Sequence, residues 1–180
     1  MGRVSRWLLL ALLAWLTVRF VFHPLDGPFV GASFLHLINL PFHEAGHVLF
    51  SPFGRVMTIL GGSLMQILVP VVCAVSFGRR HDWFATLVCT WWAGQNLVDL
   101  APYVADARAL ELVLLGGATG AEVEGHDWEA ILQALGWLHL DRQLGMGAHI
   151  AGSVIMIGAV GAAAWLTYLW PRETCDVMRR

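Results

Sequence analysis

Five predominantly apolar stretches, at about 7–22, 29–50, 56–77, 83–106 and 147–170, constrain this chain more than any other feature. Each is close to the ~20 residues that a helix needs to cross a hydrocarbon core about 30 Å thick. A segment in lipid must satisfy its own backbone hydrogen bonds, which leaves helices or a closed barrel. Composition agrees, because 57% of the 180 residues are hydrophobic and only 13% charged, against roughly 45–50% and about 25% in soluble domains. The expected fold is an all-α integral membrane protein: a bundle of about five transmembrane helices, with one long polar loop carrying a short amphipathic helix.

The breaks between stretches carry turn chemistry. His23-Pro24-Leu25-Asp26-Gly27-Pro28 and Ser51-Pro52-Phe53-Gly54-Arg55 interrupt a helix through proline and glycine, and Phe77-Gly78-Arg79-Arg80-His81-Asp82 does so through glycine and charge. The segment 107–146 holds the soluble-looking composition. Within it Asp127 is placed to cap a helix through Trp128, Ile131, Leu132, Leu135 and Leu138, whose spacing suits a helix lying on a surface. The first stretch follows Arg3 and Arg6 and has no small-x-small cleavage pattern, so it reads as a retained anchor. The Arg residues divide nearly evenly between the two sides, and the N-terminus is expected inside because the first segment often sets the orientation.

Several function classes fall away on composition. A net charge of -2 offers no broad basic surface, so no nucleic-acid partner is expected. All eleven basic residues are Arg, which excludes a phosphate-binding or Schiff-base lysine. Cys73, Cys89 and Cys175 lack CxxC spacing and read as buried hydrophobes rather than a zinc knuckle or disulfide framework.

Chemistry enters at the end of the second stretch, in His43-Glu44-Ala45-Gly46-His47. Histidines four apart share one helix face and can reach one Zn²⁺, with the Glu between them as general base. Such groups are costly in lipid and mark a polar interior or an ion. Two imidazoles leave a tetrahedral zinc one protein ligand short. In the fourth stretch Asn96, Asp99, Tyr103 and Asp106 follow i, i+3, i+7, i+10 on one face, beside Gln95. Counting 1.5 Å per residue back from the helix ends sets Asp99 level with the histidines. Asp106 and His126 are the alternative third ligands, although Asp106 also reads as a helix-end partner of Arg108. Asn96 could orient Asp99 or hold a substrate backbone, and Gln66 could bond a substrate carbonyl. Gly61 and Gly62 suit close helix approach, Pro70 a kink, and His36 and His149 hydrogen bonds inside the bundle. Trp91 and Trp92 suit packing and interface anchoring.

The motif Phe42-His43-Glu44-Ala45-Gly46-His47 in a hydrophobic segment, followed by Asn96-Leu97-Val98-Asp99 in a later one, resembles the site-2-protease family of intramembrane zinc metalloproteases. That resemblance implies Zn²⁺ held by His43, His47 and Asp99, with Glu44 catalytic, assisting water attack on a peptide bond in or beside the membrane. The expected partners are membrane lipids, a transmembrane or membrane-associated peptide substrate, and a homo-oligomeric or complex partner; the expected location is a bacterial inner membrane. The chain then reads as one membrane-embedded domain over 1–180. It divides into an N-terminal anchor and loop (1–28), metal-site core helices (29–106), a surface loop (107–146), and a last helix with its tail (147–180). The competing classes are a non-catalytic metal-binding subunit or scaffold, and an ion transporter using the same polar groups.

Overall fold

The structure is a computed structural model that describes residues 2–25, 29–115, 117–123 and 125–177, with side chains to residue 169. Cys175 lies outside the described side chains, and residues 26–28 of the expected loop lie outside the described residues. Among the described residues the chain is helical, with no strand beyond an isolated bridge between Val113 and Thr119. Six α-helices follow one another: α1 (Arg3–Val21), α2 (Phe34–Phe50), α3 (Arg55–Arg79), α4 (Trp83–Ala105), α5 (Asp127–Ala134) and α6 (Asp141–Val177). Among the described residues three helical segments, Arg3–Val21, Arg55–Arg79 and Leu138–Leu169, are long and apolar enough to cross a membrane.

The other two expected spans, α2 and α4, fall outside that group for visible reasons. The 17 residues of α2 cover only about 25 Å at 1.5 Å each. In α4, Gln95, Asn96 and Asp99 dilute an otherwise apolar sequence, yet all three side chains are buried. Both helices are therefore polar where they face protein.

Local chemistry sets the helix ends. α2 starts at Phe34, later than expected, because the Ser33 side chain accepts from the His36 amide and caps the helix. Asp82 caps α4 through the Ala85 amide. α6 starts six residues before the expected stretch. Gly145 there lies so close to α4 that a Cβ would stand 2.7 Å from the Ala101 carbonyl oxygen.

Glycine pairs let the core helices touch through their backbones. A Cβ at Gly94 of α4 would stand 2.8 Å from the Gly152 carbonyl oxygen of α6, and Gly46 of α2 abuts Gly61 of α3. Such contacts replace the hydrophobic drive that is missing between helices in lipid. α1 lays Arg6, Leu10, Leu13, Thr17 and Phe20 on one buried face. Leu13 and Phe20 meet Trp91, Val98, Met156 and Ala159 in the main apolar cluster. Trp91 is thus a core residue rather than an interface anchor: its ring N–H donates to Thr17 Oγ1 at 2.8 Å. Trp92 likewise points inward, donating to Asn39 Oδ1 at 2.9 Å.

α5 closes the end of the bundle at which α2 and α4 finish. Its Leu132 is buried, and its Trp128 indole N–H donates to Ser63 Oγ of α3 at 3.1 Å. The expected cap differs by one residue. His126, not Asp127, caps α5, its Nδ1 accepting from the Glu129 amide at 3.1 Å. The helix stops at Ala134 instead of running to Leu138, and Gly136 takes up a φ of 69° just beyond it.

Candidate metal centre

His43 and His47 lie one turn apart in the last part of α2, their rings 4.9 Å apart. Each offers Nε2 to the same oxygen of Asp127, His43 at 3.1 Å and His47 at 3.2 Å. The three ligand atoms lie within 4.8 Å of one another. Tetrahedral zinc with bonds of about 2.0–2.1 Å would separate its ligand atoms by about 3.3 Å. The two nitrogen–oxygen spacings sit close to that value.

The other ring nitrogens settle which lone pairs point inward. His47 Nδ1–H donates to the Thr58 carbonyl at 2.8 Å, and a carbonyl can only accept. His43 Nδ1 faces Gln66 Oε1 at 3.0 Å. The Gln66 amide nitrogen donates to Asp99 Oδ2 at 2.8 Å; since a carboxylate only accepts, the Gln66 oxygen must face His43, and His43 Nδ1 carries its proton there. With Nδ1 committed on the outer side, each imidazole turns its Nε2 toward the Asp127 carboxylate. Three potential ligand atoms, two imidazole nitrogens and a carboxylate oxygen, converge on one point, a donor set that suits a divalent cation. Hydrogen bonds from the outer ring nitrogens are also the usual way a protein fixes metal-binding histidines.

Space for the ion depends on a glycine. A Cβ at Gly62 would stand 2.5 Å from His43 Nε2 and 2.6 Å from His47 Nε2. The absent side chain leaves the inner face of the histidine pair open.

The expected ligand set is corrected at its third member. Asp99 contacts neither histidine of the motif; its carboxylate accepts from His36 Nδ1 at 3.2 Å, Asn39 Nδ2 at 3.2 Å and Gln66. It lies about one turn deeper than the depth count implies. Tyr103, four residues on, is the α4 residue level with His43, their rings 6.1 Å apart. The Asp127 backbone N–H donates to Tyr103 Oη at 2.9 Å, which ties the third candidate ligand to α4.

The other candidates take different roles. Asp106 accepts the amides of Glu111 and Leu112, both at 3.0 Å, and so folds the start of the surface loop. Arg108 pairs instead with Asp141 at 3.0 Å. His126 is no ligand, because its Nδ1 caps α5 and its Nε2 lies 3.5 Å from Asp106; burial lowers its pKa, with Asp106 pulling the other way. A closed set of His43, His47, Asp99 and His126 does not form. Asn96 donates to the Trp92 carbonyl of its own helix at 2.9 Å, and Gln66 is occupied by His43 and Asp99 rather than free for substrate. His36 and His149 do hydrogen-bond inside the bundle, to Asp99 and to the Val21 carbonyl.

Glu44 is exposed on α2 between the two histidines and lines the same cavity of about 1090 Å³ as His43, His47, Tyr103 and Asp127. Leu25, Val30 and Leu40 line it from the α1–α2 loop and α2, and Leu112 and Leu114 from the surface loop, so the polar floor has apolar walls. Asp127, which the sequence suggests as a helix cap, is the third candidate ligand. Its signal was the Gly125-His126-Asp127-Trp128 cluster in a loop leaving from the Asp106 end of α4. Compared with protein-family models, curated proteins and solved structures, the chain matches none.

Proposed function

We propose that this chain is a membrane-embedded zinc-dependent endopeptidase acting on a membrane-associated or transmembrane peptide. The observation that carries the reading is the convergence of His43 Nε2, His47 Nε2 and an Asp127 carboxylate oxygen beside an exposed Glu44 in one cavity. Zn²⁺ bound there would supply a Lewis acid that polarises a carbonyl and acidifies water.

The chain's own residues supply the rest. Glu44 is the base, taking a proton from the attacking water and returning it to the leaving amine. His43 and His47 are held in orientation by their outer N–H groups, which donate to Gln66 Oε1 and the Thr58 carbonyl and leave each Nε2 turned toward Asp127. α5 lies over the site and limits access of bulk water, while the apolar walls accept side chains of an extended peptide. In this reading α2 and α4 join α1, α3 and α6 as membrane-embedded helices, with the site about 10 Å inside one face. That depth follows from the seven helical steps from Arg55 to Gly62, at about 1.5 Å each.

The test is cleavage of a membrane-anchored peptide in proteoliposomes by wild type and Glu44→Gln at matched zinc content. Loss of about 10²–10⁴-fold in rate with unchanged zinc is expected for removal of a general base. Equal rates in both proteins would overturn the assignment.

A further inference from the structure

We propose that Asp99 is a positioning residue that, through Gln66, sets which ring nitrogen of His43 faces the metal site without its proton, although Asp99 is no metal ligand itself. The proposal rests on the metal-site reading above and extends it to a chain of groups inside the bundle.

Two fixed ends determine every orientation in that chain. At one end the Trp92 indole can only donate, so Asn39 must present its oxygen to it and its amide to Gln95 Oε1, at 2.9 Å, and Asp99. At the other end Asp99, 4% exposed, can only accept, so Gln66 must present its amide to Asp99 and its oxygen to His43. His36 adds a third donor to the same carboxylate. Without an acceptor at 99 the Gln66 amide is free to turn over. Its NH₂ would then face His43 Nδ1, which would have to accept, and the ring proton would move to Nε2, where it blocks metal binding.

A neutral amide at 99 preserves the arrangement. Asn can place its oxygen where Oδ2 receives Gln66 and Asn39, leaving its NH₂ toward His36, which accepts in its other tautomer. Leu cannot. Asp99→Asn therefore keeps Gln66 oriented, whereas Asp99→Leu releases it, and Gln66→Leu removes the same link directly.

The experiment is Zn²⁺ affinity of the full chain in detergent micelles, by competition with a chromophoric chelator, together with ¹⁵N shifts of the His43 ring in the metal-free protein. Expected are a Kd within about threefold of wild type for Asp99→Asn and about 10–100-fold weaker for Asp99→Leu and Gln66→Leu, the usual cost of losing an outer partner of a metal ligand. The double variant should be no weaker than either single one. The His43 ring should be protonated at Nδ1 in wild type and Asp99→Asn and lose that preference in Gln66→Leu. If Asp99→Leu does not fold, Asp99→Asn and Gln66→Leu still decide the matter. Asp99→Asn losing zinc as completely as His43→Ala would make Asp99 a ligand and overturn the proposal. Wild-type affinity in Gln66→Leu, or additive losses in the double variant, would overturn it while leaving the metal centre intact. Wild-type affinity in His43→Ala would remove the metal centre and the relay together.

Discussion

Replacing Gly62 by Ala tests the metal geometry with a single methyl group. The new Cβ would stand 2.5 Å from His43 Nε2 and 2.6 Å from His47 Nε2. Carbon atoms in contact lie about 3.5–4.0 Å apart, so each ring would have to withdraw by about 1 Å or more, against hydrogen bonds that fix its far side. The methyl would also stand 2.7 Å from His43 Cδ2, so it presses on the imidazole itself and turns it from its place. The expected result is loss of zinc affinity by at least about 100-fold, equivalent to about 2.7 kcal/mol at 1.36 kcal/mol per decade, in a protein that still folds. Competition titration with a chelator measures the affinity, and circular dichroism the helix content. Gly158→Ala is the control, because its Cβ would meet nothing within 4 Å. Wild-type zinc affinity in folded Gly62→Ala would refute the placement of the two Nε2 atoms.

Two further outcomes follow from other parts of the fold. Gly94→Ala drives a methyl to 2.8 Å from the Gly152 carbonyl oxygen and 2.9 Å from Ile155 Cγ2, and should destabilise the α4–α6 interface by about 1–3 kcal/mol; a thermal midpoint equal to that of Gly158→Ala would contradict it. In the surface loop, hydrogen bonds from the Thr119 amide and hydroxyl hold the Glu122 carboxyl below its usual pKa. A lowered folded pKa contributes stability above the unfolded value, about 4.3, and loses it as pH falls through the folded one. The Thr119 amide resonance should therefore shift on acidification below about pH 4 in wild type and stay fixed in Glu122→Gln.

The helical class, the polar stripe on α4 and the paired histidines of α2 were legible because each is a local periodicity. Apolar runs of membrane length and an i, i+4 histidine pair depend only on residues within one helix. The third candidate ligand was not legible, because Asp127 lies 84 residues beyond His43 and reaches it only through tertiary packing. The depth count assumed that α2 and α4 end level with each other. Their offset of about one turn places Tyr103, not Asp99, beside His43. The caps at Ser33 and His126 also moved boundaries that hydropathy alone placed elsewhere. Trp91 and Trp92 show the same limit: a tryptophan that finds a partner for its N–H belongs inside, and that partner is invisible in the sequence.

The central claim is that His43, His47 and Asp127 hold one metal ion between α2 and α5. Its most direct test is zinc content by elemental analysis of wild type and Asp127→Ala, purified in detergent and dialysed against the same zinc buffer. About one zinc per chain in wild type and substantially less in Asp127→Ala is the expected result. Full zinc occupancy in folded Asp127→Ala would contradict the account.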